Sequence, residues 1–392
     1  MEMSGILRPI LEKTRRYLAI VILNGILVVF GTSVAVLASE LVLRIWTPSS
    51  LTDKRVRQSD PILNHSLTPS SSFISKTDEW EVEVKTNSDG FRDHEWPKPG
   101  ADAFTIAVLG DSFVEGMGVD LDSSFTKRLE RGLNHENRDR NVAVLNCGVV
   151  SYSPLIEYLQ LTTRILQYRP NLVIQCFDMS DIRDDYLYTM ISEFDSRSRP
   201  VRVWPVMPVE FQNRSHAWWS IKSFIQSHSY LYPLVGNALL DLAKNDPAIL
   251  QNNIHSGGGA HMMDSTLRYW EPFFKKSQQY ISLTSDTLRS LGIPYLLCIY
   301  PYGCQVSPRE WKEGRSRAGI GPGVYNSAIF RSMKEFAMAK GLHYLDMTPA
   351  FKRCSDGTLY FAEDPHWTSR GHKVAADTLQ IFLKQHGLLS DR

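Results

Sequence analysis

The sequence predicts an α/β domain on a parallel sheet, set behind one N-terminal membrane-spanning helix. Three observations predict it. From Phe104 onward, short uncharged apolar runs alternate with segments of helical period, the order of strand, crossover helix and parallel strand. The first of these runs, Phe104 to Leu109, breaks sharply at Gly110-Asp111-Ser112. That break puts a serine hydroxyl at the carboxyl edge of the sheet, where open α/β sheets bind ligands. Far upstream, Tyr17 to Ser39 carries no charged residue, and about twenty helical residues span the hydrocarbon core of a bilayer.

Composition narrows the class. At 392 residues the chain has room for one large domain or two ordinary ones. Its 43% hydrophobic and 22% charged content is that of a globular protein, and a net charge of +1 gives no support for a nucleic-acid partner. The five cysteines form no Cys-x-x-Cys pair and no zinc-like spacing with histidine. Cys147, Cys176 and Cys298 lie in apolar runs and read as small core residues. Cys304 and Cys354 lie in expected loops and are candidates for one disulfide in an oxidising compartment.

Residues 1–16 carry Arg8, Lys13, Arg15 and Arg16 against Glu2 and Glu12. Basic residues ahead of an apolar helix keep the N-terminus in the cytoplasm, so 17–39 reads as an uncleaved anchor with the rest of the chain outside. Ala35-Val36-Leu37-Ala38-Ser39 mimics a signal-peptide cleavage site, but the apolar run is long for a signal. Residues 40–80 follow as a linker, rich in Ser, Thr and Pro from 47, a tether or a surface wrap. The main domain is expected over 81–392. Glu81 to Thr86 alternates like a strand and Asn87-Ser88-Asp89-Gly90 supplies a turn, which predicts an edge hairpin beside the main sheet.

Strand 104–109 leads to a helix from near Ser123, with Phe125, Leu129 and Leu133 on one face. A strand over 141–147, a helix over 154–168 stopped by Pro170, and a strand over 171–177 come next. Residues 182–265 break the rhythm and read as an insertion. It holds Trp204, Phe211, Trp218 and Trp219, an apolar helix over 227–242 and a glycine loop over 256–260. It is either a cap over the substrate site or a satellite core. The rhythm returns with a helix over 267–291, a strand over 293–300, a helix over 323–340, a short strand over 342–345 and a last helix over 369–385.

Between the last strand and the last helix stand Asp364 and His366, two residues apart. A carboxylate there can hold one imidazole nitrogen while the other faces a serine. The plainer alternative is an Asp that caps the last helix and a His that packs beside Trp367. No phosphate-binding glycine loop, His-Glu-x-x-His or Ca²⁺-loop pattern is present, so no metal and no cofactor are expected.

Taken together, Leu109-Gly110-Asp111-Ser112-Phe113, Gly116-x-Gly118-Val119 and His366-Trp367-Thr368-Ser369-Arg370-Gly371-His372 resemble the SGNH (GDSL-type) hydrolase superfamily over roughly residues 81–388. The resemblance implies a flavodoxin-like three-layer α/β/α fold with Ser112 as nucleophile, His366 as general base and Asp364 as the residue that orients it. The Asp-x-His-Trp form resembles the branch containing the alginate O-acetyltransferase-like proteins. The commoner Asp-x-x-His form would put the acid on Glu363, which is the reserve. The oxyanion hole falls on the backbone N–H groups of Ser112 and Ser151, the latter at a family glycine, with Ser180 at a family asparagine. A hydroxyl reaches less far than an amide, and losing one such donor costs about 10²–10³ in turnover. The activity so implied is a serine esterase acting outside the membrane on O-acyl groups of an envelope glycan. An O-acyltransferase is the near alternative, and a catalytically weak glycan-binding or assembly protein the more distant one.

Overall fold

The computed structural model describes residues 3–45, 57–98, 103–136, 141–205, 231, 271–317, 320 and 328–390. Five parallel strands form the central sheet: β5 (Phe104–Leu109), β6 (Val142–Asn146), β7 (Leu172–Phe177), β10 (Tyr295–Ile299) and β11 (His343–Asp346). Their order is β11-β10-β7-β5-β6, the doubly wound order whose reversal falls between the first and third strands. The expected parallel α/β sheet is therefore present, with its switch point at the carboxyl ends of β5 and β7.

The three inner strands β5, β7 and β10 are buried on both faces, which is why they read as continuous apolar runs, whereas the edge strand β11 is mostly half-buried. Phe104, Ile106 and Val108 pack into one core with helices α3 (Phe125–Glu136) and α11 (Ser369–Gln385). Ala107 and Leu109 point the other way, into a second core with α6 (Glu271–Ser290) and α9 (Ala328–Ala339). The expected helix over 154–168 is α4 only as far as Gln160, then one π turn and one 3₁₀ turn. Thr162 and Thr163 donate their hydroxyls back to the Tyr158 and Leu159 carbonyls, a competition that loosens a helix.

Ahead of the sheet, residues 57–85 form two hairpins: β1 (Arg57–Asp60) with β2 (Asn64–Leu67), and β3 (Ser72–Lys76) with β4 (Glu81–Lys85). Within the linker region, residues 57–80 are thus the wrap rather than the tether. Asp60 accepts the Ile62 and Leu63 backbone N–H groups and so makes the first turn. Leu63 and Leu67 are buried against Tyr152, Leu155, Ile156 and Leu159. β4 pairs with β3 in a sheet of its own rather than extending the main one.

Of the inserted stretch, α5 (Ser180–Met190) and the hairpin β8 (Ser192–Phe194)–β9 (Pro200–Val203) are described. The expected apolar helix (apart from residue 231), the glycine loop, Phe211, Trp218 and Trp219 lie outside the described residues, as do the first residues of the helices expected from 267 and 323. The four shorter helices are α2 (Ser112–Glu115), α7 (Gly303–Val306), α8 (Lys312–Arg317) and α10 (Thr348–Cys354). The candidate disulfide is not formed. Cys304 is buried at α7 within the first core while Cys354 is exposed at the end of α10, and neither is in a disulfide. Cys147, Cys176 and Cys298 are buried as expected. Upstream of everything, α1 (Met3–Ile45) is one continuous helix, and its stretch Arg16–Leu43 is long and apolar enough to cross a membrane.

Candidate active site

Ser112 leaves β5 through a turn that its neighbours enforce. Gly110 stands where a Cβ would lie 2.2 Å from the Val114 side chain. Asp111 caps α2 by accepting the Phe113 N–H at 2.9 Å and also accepts the Tyr300 hydroxyl at 2.6 Å. Gly116 and Gly118 close the turn with φ of +86° and +83°, a region that favours glycine. The buried Arg92 guanidinium donates to the Gly116 and Val119 carbonyls and fixes that exit.

Asp364 and His366 arrive from the loop between α10 and α11. His366 Nε2 is 2.6 Å from Ser112 Oγ, and His366 Nδ1 is 2.5 Å from Asp364 Oδ1. Asp364 Oδ1 also accepts the His366 backbone N–H at 2.9 Å, so the two residues brace each other across Pro365. The structure brings the three together in one hydrogen-bonded line. It is Asp364 that holds Nδ1; the exposed Glu363 gives its N–H to Glu79, and its carbonyl accepts from Trp311 Nε1.

Burial alone would lower the His366 pKa. The bond and charge of Asp364, helped by Asp111 and Asp178, outweigh burial and raise it above 6.5. Burial pushes Asp364 up, but its contacts with His366 bring it below the usual carboxylate value. This is the polarity a general base needs: a carboxylate that stays charged and an imidazole made more basic. Asp111 is different. Burial, reinforced by Asp178, pushes its carboxyl up to about 8 against the opposing bonds from Tyr300 and Phe113.

The side expected to hold the oxyanion is built by the turn after β6. Gly148 has no space for a Cβ, which would lie 2.2 Å from the Glu115 nitrogen, so this turn lies directly on α2. Val149 N–H bonds the Gly110 carbonyl and Val150 N–H bonds Glu115 Oε2 at 2.8 Å. Ser151 follows with φ of +62°, the left-handed conformation that glycine adopts most readily. Among the described residues, the backbone N–H groups of Ser112 and Ser151 donate to no other group. Ser180 does not supply a third free donor. Its hydroxyl and its N–H both go to Asp178 Oδ1 at 2.6 Å, and the hydroxyl also meets Tyr302.

Three groups of the site carried no sequence signal that was read. Glu115 is one, bonding both Arg57 and the Val150 N–H. Tyr300 on Asp111 is the second, and Glu79 on the Asp364 loop is the third. The closing Gly371-His372 motif proves to be packing: a Cβ on Gly371 would lie 2.3 Å from the Leu359 carbonyl, and His372 Nδ1 accepts the Phe125 N–H at the start of α3.

This geometry is accompanied by a family match over the C-terminal part of the chain. Residues 264–391 match the model of the SGNH hydrolase-like domain of acetyltransferase AlgX. That match includes Asp364 and His366. Among solved structures, the chain is similar to a two-domain esterase active on acetylated mannans, at 13% identity and a TM-score of 0.39, over 72% of this chain and 49% of that one. It is also similar to a catalytic mutant of an acetylxylan esterase from Geobacillus stearothermophilus, at 12% identity and a TM-score of 0.38, over 76% of this chain and 99% of that one. The chain spans about half the length of the first of these. No curated protein sequence matches it. The family match over residues 264–391 agrees with the resemblance read from the motifs and with the sheet order: that part of the chain is similar to the SGNH hydrolase-like domain of the AlgX type.

Proposed function

We propose that this SGNH-superfamily chain of the AlgX type is a serine O-acyl esterase acting on an acylated carbohydrate outside the membrane. The observation that carries the reading is the continuous line Ser112 Oγ, His366 Nε2, His366 Nδ1, Asp364 Oδ1. In this reading His366 takes the Ser112 proton as Oγ attacks the ester carbonyl, and Asp364 holds Nδ1–H and the imidazolium that forms. The backbone N–H groups of Ser112 and Ser151 receive the oxyanion. His366 then hands its proton to the departing sugar hydroxyl, and a water activated by the same imidazole clears the acyl-serine. The side of the membrane rests on the basic residues ahead of the apolar part of α1. The carbohydrate rests on the resemblance of Asp364-x-His366-Trp367 to the alginate O-acetyltransferase-like branch.

The AlgX-type match also favours a second reading. A sugar hydroxyl in place of water makes the same residues an O-acetyltransferase. The two separate in an acceptor competition assay, in which a transferase modifies the glycan faster than it releases free acid.

The first test is labelling of the protein with a fluorophosphonate probe, with peptide mapping and the variants Ser112→Ala and His366→Ala. The expected adduct is on Ser112 and requires His366. Since the His366 pKa is raised, the imidazole is protonated and idle below it, so labelling should rise with pH through a midpoint above 6.5. A folded protein that takes no adduct at any pH would sink the esterase and transferase readings together and leave glycan binding as the function.

A further inference from the structure

We propose that Glu79 is a positioning residue for the candidate site: its carboxylate gathers three successive backbone N–H groups of the loop carrying Asp364, and through them sets where Asp364 meets His366. The proposal rests on the triad reading above. Glu79 Oε1 accepts from Ala362 N–H at 2.7 Å and Glu363 N–H at 3.0 Å, and Oε2 accepts from Asp364 N–H at 2.8 Å. Consecutive N–H groups converge on one anion only where the backbone curls around it. The charge on the acceptor makes each of these bonds stronger than a neutral one.

The other edge of the loop is held by neutral groups. The Ala362 carbonyl accepts from Glu313 and Gly314 N–H, and the Glu363 carbonyl from Trp311 Nε1. Glu79 itself is fixed by the turn joining β3 to β4. Thr77 N–H bonds the Trp80 carbonyl, and Thr77 Oγ1 accepts from both Glu79 and Trp80 N–H. The next residue, Trp80, packs on Phe361 with ring centroids 4.8 Å apart. Gly118, from the turn after Ser112, has no room for a side chain against that pair, since a Cβ would lie 2.6 Å from Phe361. The hairpin ahead of the α/β domain is thus docked between the serine turn and the Asp364 loop.

Its influence on the chemistry follows from one residue having two jobs. Asp364 gives its N–H to Glu79 and its Oδ1 to both the N–H and Nδ1 of His366. Releasing the 363–364 peptide therefore moves the carboxylate that holds the imidazole.

The test uses the full chain in detergent micelles, as wild type, Glu79→Gln and the hairpin control Lys76→Ala. Glu79→Gln keeps the shape but turns an NH₂ group toward loop N–H donors. The expected result is a fall of about ten- to a hundredfold in the rate of fluorophosphonate labelling at Ser112. Its pH midpoint should move down as Asp364 loosens from His366, and Lys76→Ala should change neither. A second readout is independent of turnover: the low-field imidazole N–H resonance of His366, which should move upfield in Glu79→Gln. The proposal is overturned if Glu79→Gln lowers the melting temperature while rate, midpoint and resonance stay at wild-type values. Should Glu79→Gln fail to fold, Glu79→Asp, a shorter acceptor, takes its place. An intermediate rate with a shifted midpoint then supports the proposal, and wild-type values overturn it. If wild type itself takes no label on Ser112, the esterase reading fails on its own account and the resonance alone decides Glu79: moved, it supports positioning, and unmoved, it overturns it.

Discussion

At the level of single residues, Ser151 shows how a side chain can be tolerated at a backbone position that suits glycine. Its φ of +62° suits glycine. A left-handed L-residue costs about 1–2 kcal/mol, but glycine gives back part of that as chain entropy, about 0.5–1 kcal/mol. What the site needs from this position is an N–H, which serine has. Ser151→Gly should therefore change stability by less than about 1 kcal/mol and leave Ser112 labelling intact. Ser151→Val, whose β-branch fits φ > 0 badly, should lose both stability and labelling, read by thermal melting beside probe kinetics. If valine were harmless, the turn would not be held in this conformation in solution. Ser180 is the opposite case. A serine at a site expected to carry an amide donor is legible in sequence, but where its proton goes is not. Only the packing shows that Asp178 takes it.

At the level of elements, what could be read depended on what each element buries. The three inner strands β5, β7 and β10 are buried on both faces, so they appear as uncharged runs. β1 and β2 are Arg-Gln-Ser-Asp and Asn-His-Ser-Leu, too short and too polar to show any period, and their packing rests on Leu63, Leu67 and turn bonds. The two stretches carrying Ser112 and the Asp364–His366 pair were legible because each combines rare residue types, the first at the end of a strand and the second just ahead of the last helix. Glu79 was not, because a carboxylate that binds backbone N–H groups leaves no trace in its partners' side chains. The seam between α3 and α11 makes a prediction of its own. Burial pulls the His372 pKa down to about 3, with Arg92 adding to it, so the folded protein keeps this ring neutral while the unfolded chain protonates it near 6.5. Below pH 6.5 the unfolded state binds the extra proton, and stability should fall by about 1.4 kcal/mol per pH unit from this residue as pH drops toward 3. His372→Gln removes the term. It should be the less stable protein at pH 7, and the gap should close at pH 5 in urea melts. A gap that stayed constant would mean the ring is not buried neutral.

At the level of the whole molecule, the segment between the apolar helix and the sheet is part of the site's support. Arg57 forms a two-pronged contact with the buried Glu115, whose Oε2 also takes the Val150 N–H next to Ser151. Glu79 does the corresponding work at Asp364. Burial would raise the Glu115 pKa, yet Arg57 brings it below its ordinary value. Without Arg57 a buried carboxylate would lose its partner, a change that costs about 3–5 kcal/mol. Asp60 likewise pairs with Arg164 beyond α4, and Leu63 and Leu67 fill a separate small core. The sheet and its helices do not cover these groups on their own. A chain beginning at residue 57 drops the apolar helix and keeps every one of these contacts. It should be soluble and label at Ser112 at the rate of the full chain. A chain beginning at residue 103 retains all five sheet strands, Ser112, His366 and Asp364, and on the triad alone it should react equally well. The contacts predict instead that it loses at least about a hundredfold in labelling, because both the turn at Ser151 and the loop at Asp364 lose their fixed partners. Supplying residues 57–98 as a separate polypeptide should restore part of the rate. Equal rates for the two truncated chains would show that the hairpins only decorate the domain.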